Sequence, residues 1–209
     1  MVIVFDVDGT ILDTFPHIKA SYLKVFDKLL PGFTCSEEML RSFFGPPLPD
    51  TFKNIVKDDE IDKFVEEYHQ VSNSIAKEYL RTFPDTFKTL DTLKAMGYKL
   101  AVDSNKQENA IIEAFDLVGL NGYFDLIIGY DSVSNPKPHE EGLKQIAAYF
   151  NDDVVLVGDS LFDIETAKNA NVKSVGVTWA LTTKAELIEA GADYVIDDFN
   201  SLIKIVKEL

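Results

Sequence analysis

The sequence has a single cysteine, Cys35, so no intramolecular disulfide can form and nothing in the chain calls for an oxidising compartment. Cys35 stands in Phe33-Thr34-Cys35-Ser36 without a partner for metal binding, and it reads as a structural thiol. Positive charge is also scarce. Against 35 Asp and Glu there are only 20 Lys and Arg, a formal net charge of -15. Such a balance opposes nucleic acid and anionic membrane surfaces unless a local basic patch compensates, and the lysines form none. No apolar run approaches the roughly 20 residues of a spanning helix. Met1-Val2-Ile3-Val4-Phe5 passes at once to Asp6, with no basic lead and no cleavage signature, so no secretory signal is read. The expectation is a cytoplasmic protein that acts as a monomer or weak homodimer. If its ligand is an anion, the site must concentrate positive charge through a cation or one well-placed lysine.

What is present is ordinary globular material: 46% of the residues are hydrophobic, in short runs, which is enough to bury a real core. Val2 to Phe5, Tyr98 to Val102, Val154 to Val157 and Ser174 to Val177 read as buried strands. Asp125 to Ile128 and Asp193 to Ile196 are shorter candidates. Between them lie segments of helical period, such as Gln107 to Val118, where Ile111, Ile112 and Phe115 fall on one face. Strand and helix therefore alternate from about Asp85 onwards, which predicts a parallel sheet covered by helices on both faces.

The stretch from about Thr14 to Leu80 breaks the alternation. Ile18, Tyr22, Val25, Phe26 and Leu29 follow helical spacing, as do Ile61, Phe64, Val65 and Tyr68. Gly45-Pro46-Pro47-Leu48-Pro49, with three prolines and a glycine, is expected not to be regular helix. The fold class expected is an α/β, doubly wound (Rossmann-like) parallel sheet with an inserted helical domain. Residues 1–13 and 82–209 would form the core and residues 14–81 the insert, with connections near Asp13 to Phe15 and Thr82 to Asp85.

Asp6-Val7-Asp8-Gly9-Thr10 follows directly on the first strand, at the end where open α/β sheets place their ligands. Alternation sends Asp6 and Asp8 in the same general direction, so the two carboxylates repel unless a cation neutralises them or one takes a proton. Either state is useful, since a carboxylate can attack phosphorus and a neighbouring acid can protonate a leaving group. Gly158-Asp159-Ser160-Leu161-Phe162-Asp163 repeats the strand-then-acid arrangement, and its oxygen ligands suit a hard cation such as magnesium. Asp103-Ser104-Asn105-Lys106 offers a hydroxyl and backbone amides at a helix start, a phosphate cradle in which Ser104 is the choice. In Asn135-Pro136-Lys137-Pro138 the flanking prolines aim Lys137 as a point charge.

These segments, each beside a strand end in the order acid pair, hydroxyl, lysine, acid pair, resemble the haloacid dehalogenase superfamily of phosphohydrolases. The resemblance covers almost the whole chain, and the insert looks like the helical cap of the phosphoglycolate-phosphatase-like branch. It implies magnesium-dependent hydrolysis of a small phosphorylated metabolite through an aspartyl phosphate. Asp6 would be the nucleophile, Asp8 the general acid and base, Ser104 a phosphate ligand and Lys137 the neutralising cation. Asp159 would hold magnesium beside Asp6 and the Asp8 backbone carbonyl, with Asp163 in a supporting position or bonded to Lys137. Asn105, Gly45 and Pro46 would contact the substrate. Two positions depart from the family's pattern: Glu140, where a proline is frequent, and Asp85, where a glycine is.

Rival readings make different demands. A receiver-type phospho-aspartate switch needs neither the helical insert nor an acid two residues after the nucleophile, and a dehalogenase needs neither metal nor Asp8. A mutase like β-phosphoglucomutase would keep every motif, and a pyrophosphatase of the same family would differ only in its leaving group. Arg41, Lys53 and His17 are the nearby candidates for an anionic part of the substrate.

Overall fold

The computed structural model describes residues 1–209. Strand β1 (Val2–Phe5) is followed by the two-residue β2 (Leu12–Asp13) and then by four helices: α1 (Phe15–Leu29), α2 (Glu37–Ser42), α3 (Leu48–Lys53) and α4 (Ile61–Tyr79). A second two-residue strand, β3 (Arg81–Thr82), precedes the alternating part of the chain. That part runs α5 (Thr86–Ala95), β4 (Lys99–Asp103), α6 (Glu108–Val118), β5 (Leu126–Ile128), α7 (Glu141–Phe150) and β6 (Val154–Gly158). It ends with α8 (Leu161–Ala170), β7 (Lys173–Val177), α9 (Lys184–Ala190), β8 (Tyr194–Ile196) and α10 (Phe199–Ile205).

Six strands form one parallel sheet in the order β5-β4-β1-β6-β7-β8. Successive side chains of a strand point to opposite faces, and β1 shows the consequence. Ile3 and Phe5 join Leu100, Val102, Ile111 and Phe115 in the larger core cluster, whereas Val2 and Val4 join Leu143, Ile146 and Leu156 on the other face. All four β1 side chains are fully buried, each contributing about 1.5–3 kcal/mol of transfer free energy. The strand order reverses at β1, whose neighbours are β4 and β6. The crevice at the C-terminal ends of these three strands is therefore the topological switch point.

The helical insert has an aromatic core of its own, built on Tyr22, Phe26, Phe43, Phe52, Phe64 and Tyr68. Its two connections are tied together by β2 and β3, which pair antiparallel as Leu12 with Thr82 and Asp13 with Arg81. Ala76 and Leu80, at the end of α4, pack into the core of the sheet instead.

Local differences from expectation have simple causes. Ile112 is 42% exposed although Ile111 and Phe115 are buried, so the buried face of α6 is narrower than the apolar pattern suggests. Leu48 and Pro49 do belong to a helix, because a proline in the first turn gives up an N–H that would be unpaired anyway. Pairing of β2 with β3 depends on partners 68 and 70 residues apart and leaves no periodic trace in two residues.

Candidate active site

Asp6 is the residue after β1, and the register aligns Phe5 with Val102 of β4 and Val157 of β6. Asp6 therefore sits level with Asp103 and Gly158, and Ser104 and Asp159 follow at the same edge. By alternation Asp6 lies on the face that packs against α7 and α8. Lys137, in the loop before α7, reaches it: Nζ donates to Asp6 Oδ1 at 2.8 Å and to Asp163 Oδ1 at 2.6 Å.

Asp163 is placed by helix chemistry. Ser160 is the N-cap of α8, and the Ser160 N–H and hydroxyl donate to Asp163 Oδ2 at 3.0 and 2.6 Å, closing a capping box. Both oxygens of Asp163 are thus engaged by the protein. Asp159 Oδ1 accepts from the Thr10 hydroxyl at 2.9 Å. The hydrogen bonds of Asp6 and Asp159 involve Oδ1 in each, which leaves Oδ2 of each free. Gly9 makes room for this pairing, since a Cβ there would lie 2.5 Å from Asp159 Oδ2 and φ is +86°.

Asp6, Asp159 and Asp163 offer oxygens that all lie within 4.8 Å of one another, and all three are buried. One lysine cannot balance three buried acids. Burial pushes Asp6 up to about 7 against the pull of Lys137, with Asp163 and Asp8 adding repulsion. Burial likewise holds Asp159 well above the usual carboxylate range, reinforced by Asp6 and Asp163. For Lys137, burial works against the charge, but Asp163, Asp6 and Asp103 outweigh it and raise the group. Asp103, pushed up to about 6 chiefly by burial, lies against Gly142 of α7.

Asp8, Ser104, Asn105, Gly45 and Pro46 line one cavity of about 350 Å³ together with Asp6, Lys137 and Asp159. Asn105 spends its side-chain amide on backbone carbonyls, donating to Gly45 O at 2.7 Å and Lys137 O at 3.0 Å. It joins the insert to the core rather than presenting that amide to the cavity. Gly45, at φ +103°, seats against the Phe162 ring, where a Cβ would come within 2.8 Å. His17 also lines the cavity, while Arg41 and Lys53 do not, and Lys53 pairs with Asp50 on the surface.

Lys106 is the cation that sequence reasoning passed over. Its Nζ lies 3.1 and 3.2 Å from the two oxygens of Asp8. The residue stands in the Asp103 to Lys106 segment, but only the fold brings that strand end beside β1. Thr10 and Trp179, whose indole N–H donates to Thr10 O at 3.1 Å, support the same turn from a distance the sequence does not reveal.

The haloacid dehalogenase-like hydrolase family model matches residues 3–177. The pyrophosphatase PpaX of Bacillus velezensis is 32% identical over 206 residues, covering 97% of this chain and 94% of that relative. PpaX of Oceanobacillus iheyensis is likewise 32% identical, over 98% and 95%. Among solved structures, a haloacid dehalogenase-like hydrolase from Bacteroides fragilis superposes with a TM-score of 0.87 at 29% identity, covering 96% of this chain and 98% of that one. A predicted phosphoglycolate phosphatase from Haemophilus somnus gives 0.86 at 25%, over 98% and 97%. The chain belongs to the haloacid dehalogenase-like hydrolases and is a phosphatase of that family.

Proposed function

We propose that this phosphatase hydrolyses a small soluble phosphate ester in two steps, carrying the phosphoryl group on Asp6 between them. Residues 1–13 and 82–209 would hold the chemistry, and residues 14–81 would serve as a helical cap over the cavity. The observation that carries this reading is the pairing of a buried Asp6, held by Lys137 and keeping one oxygen free, with Asp8 two residues on at the same cavity.

The acids also fit a hard dication. Asp6 and Asp159 each keep a free oxygen, and the cluster holds more negative charge than Lys137 balances. Magnesium bound there, held by Asp6, Asp159 and the Asp8 carbonyl, would supply the positive charge that lets a carboxylate and a phosphate approach.

The protein's own groups do the rest. Lys137 keeps Asp6 in place and offsets charge on the phosphoryl oxygens, while Ser104 and the amides that follow it hold those oxygens. Asp6 attacks phosphorus, the bond to the leaving oxygen breaks, and a proton from Asp8 goes to that oxygen. Water then attacks the phosphorus of the aspartyl phosphate, gives its proton to Asp8, and frees Asp6 and inorganic phosphate. The curated relatives' name favours pyrophosphate as substrate and the structural neighbour's favours phosphoglycolate. The first step on Asp6 is the same for both.

Asp6→Asn is nearly isosteric but a poor nucleophile. It should lower kcat by a factor on the order of 10³ or more while leaving circular dichroism and thermal unfolding cooperative. More than a few per cent of wild-type turnover, in protein free of wild-type contamination, would remove Asp6 from the role.

A further inference from the structure

The cavity beyond Asp6 is walled by Ile18, Tyr22, Phe43, Phe44, Leu48 and Tyr68, all from the helical insert, with Leu80 and Leu117 further round. At about 350 Å³ it is much larger than a phosphate needs. Charge is distributed unevenly within it. The cations that line it are Lys137, already shared between Asp6 and Asp163, and Lys106, already paired with Asp8. No arginine lines it, and, histidines aside, the other acidic or basic side chains of its lining, Asp159, Glu113 and Asp116, are acids. His17 and His69 are the other basic groups, and burial lowers both below the ordinary histidine range, with Lys106 pushing further the same way. His17 Nε2 faces the Ser72 carbonyl at 2.9 Å, which requires the proton on that nitrogen and so the Nε2–H tautomer when the ring is neutral.

We propose that the leaving group accepted here is an uncharged alcohol with a flat, apolar face, as in a nucleoside monophosphate, and not a second phosphate or a carboxylate. This rests on the phosphatase reading above. The physical reason is desolvation: an anionic leaving group would give up water in a largely apolar space and meet no uncommitted cation. A flat neutral group instead meets aromatic rings and exchanges poorly hydrated surface on both sides. Asn73 and Gln107 remain to satisfy its hydroxyls.

The test is a comparison of kcat/KM for a nucleoside monophosphate, pyrophosphate and phosphoglycolate, with magnesium and the full chain, beside an activated aryl phosphate. The nucleotide should exceed both anionic-leaving-group substrates by about tenfold or more, within the range a single pocket contributes to discrimination. In Leu48→Lys, which puts an uncommitted cation on the wall, the ratio of pyrophosphate to nucleotide should rise by about tenfold, whatever the absolute rates. Pyrophosphate or phosphoglycolate turned over as well as the nucleotide by the wild type would overturn the proposal, as would an unmoved ratio in Leu48→Lys. Should the aryl phosphate itself resist hydrolysis, the phosphatase reading has failed at its first step, a result distinct from a wrong ranking.

Discussion

Asp6 ties the acid cluster to a measurable property of the protein. In the unfolded chain its carboxyl titrates at the ordinary 3.8, whereas in the fold burial, against the pull of Lys137, pushes it up to about 7. Between those values the folded protein holds a proton that the unfolded chain has lost, so this group's contribution to stability falls as pH rises. The slope is at most about 1.4 kcal/mol per pH unit for one group. Asp6→Asn cannot titrate. In chelator, the stability of the asparagine variant relative to wild type should therefore grow as pH rises from about 4 to about 7, and saturating magnesium should shrink that growth. Urea unfolding at a series of pH values measures it, and a difference that stays flat in chelator would mean that Asp6 is not held protonated in the metal-free fold. At this scale the sequence is most legible where chemistry follows a strand directly. Asp6, Asp8, Ser104, Lys137, Asp159 and Asp163 all meet at one strand edge, as their positions after strands suggest. Lys106 was not legible in its role, because its partner Asp8 is 98 residues away.

Helices and strands were legible where burial imposes a period. The six sheet strands fall within a residue or so of the apolar runs, since a strand buried on both faces must be apolar throughout. The helices of the insert follow from the spacing of Ile18, Tyr22, Val25 and Phe26, all of them buried. Short features set by tertiary pairing, such as β2 and β3, were not. Asp85, where the family's pattern favours glycine, shows what the departure costs: it opens α5 at φ +62°, in the left-handed region, and its side chain makes no capping bond. Its one side-chain hydrogen bond is a long one of 3.4 Å from Asn200. Asp85→Gly should therefore stabilise the protein by up to about 1 kcal/mol, the relief of a left-handed Cβ less the entropy of glycine. A shift of the urea midpoint to higher concentration, with unchanged slope, would show it, and a lower midpoint would mean that the Asn200 contact outweighs the strain.

At the scale of the whole molecule, a chain of net charge -15 keeps Lys106 and Lys137 inside one crevice, where the proposed reaction would meet its anion. Parallel strands β1, β4 and β6 converge there, and the insert covers it through the Asn105 to Gly45 bond. The charge balance of the chain indicated that a lysine or a cation must do this work. The size and apolar character of the enclosing cavity were beyond the sequence, because its walls come from helices whose seat on the sheet no periodicity specifies. In the proposed mechanism all of this serves a single covalent event, the transfer of a phosphoryl group to Asp6. The most direct measurement is acid quenching during turnover of a phosphate ester in magnesium, followed by mass spectrometry of the N-terminal peptide that carries Asp6, Asp8 and Asp13. One phosphoryl group on Asp6, accumulating within a turnover and absent from Asp6→Asn, is the predicted result. Turnover with phosphate on Asp8, on Asp13 or on none of the three, under conditions in which Asp8→Asn also traps nothing, would contradict it.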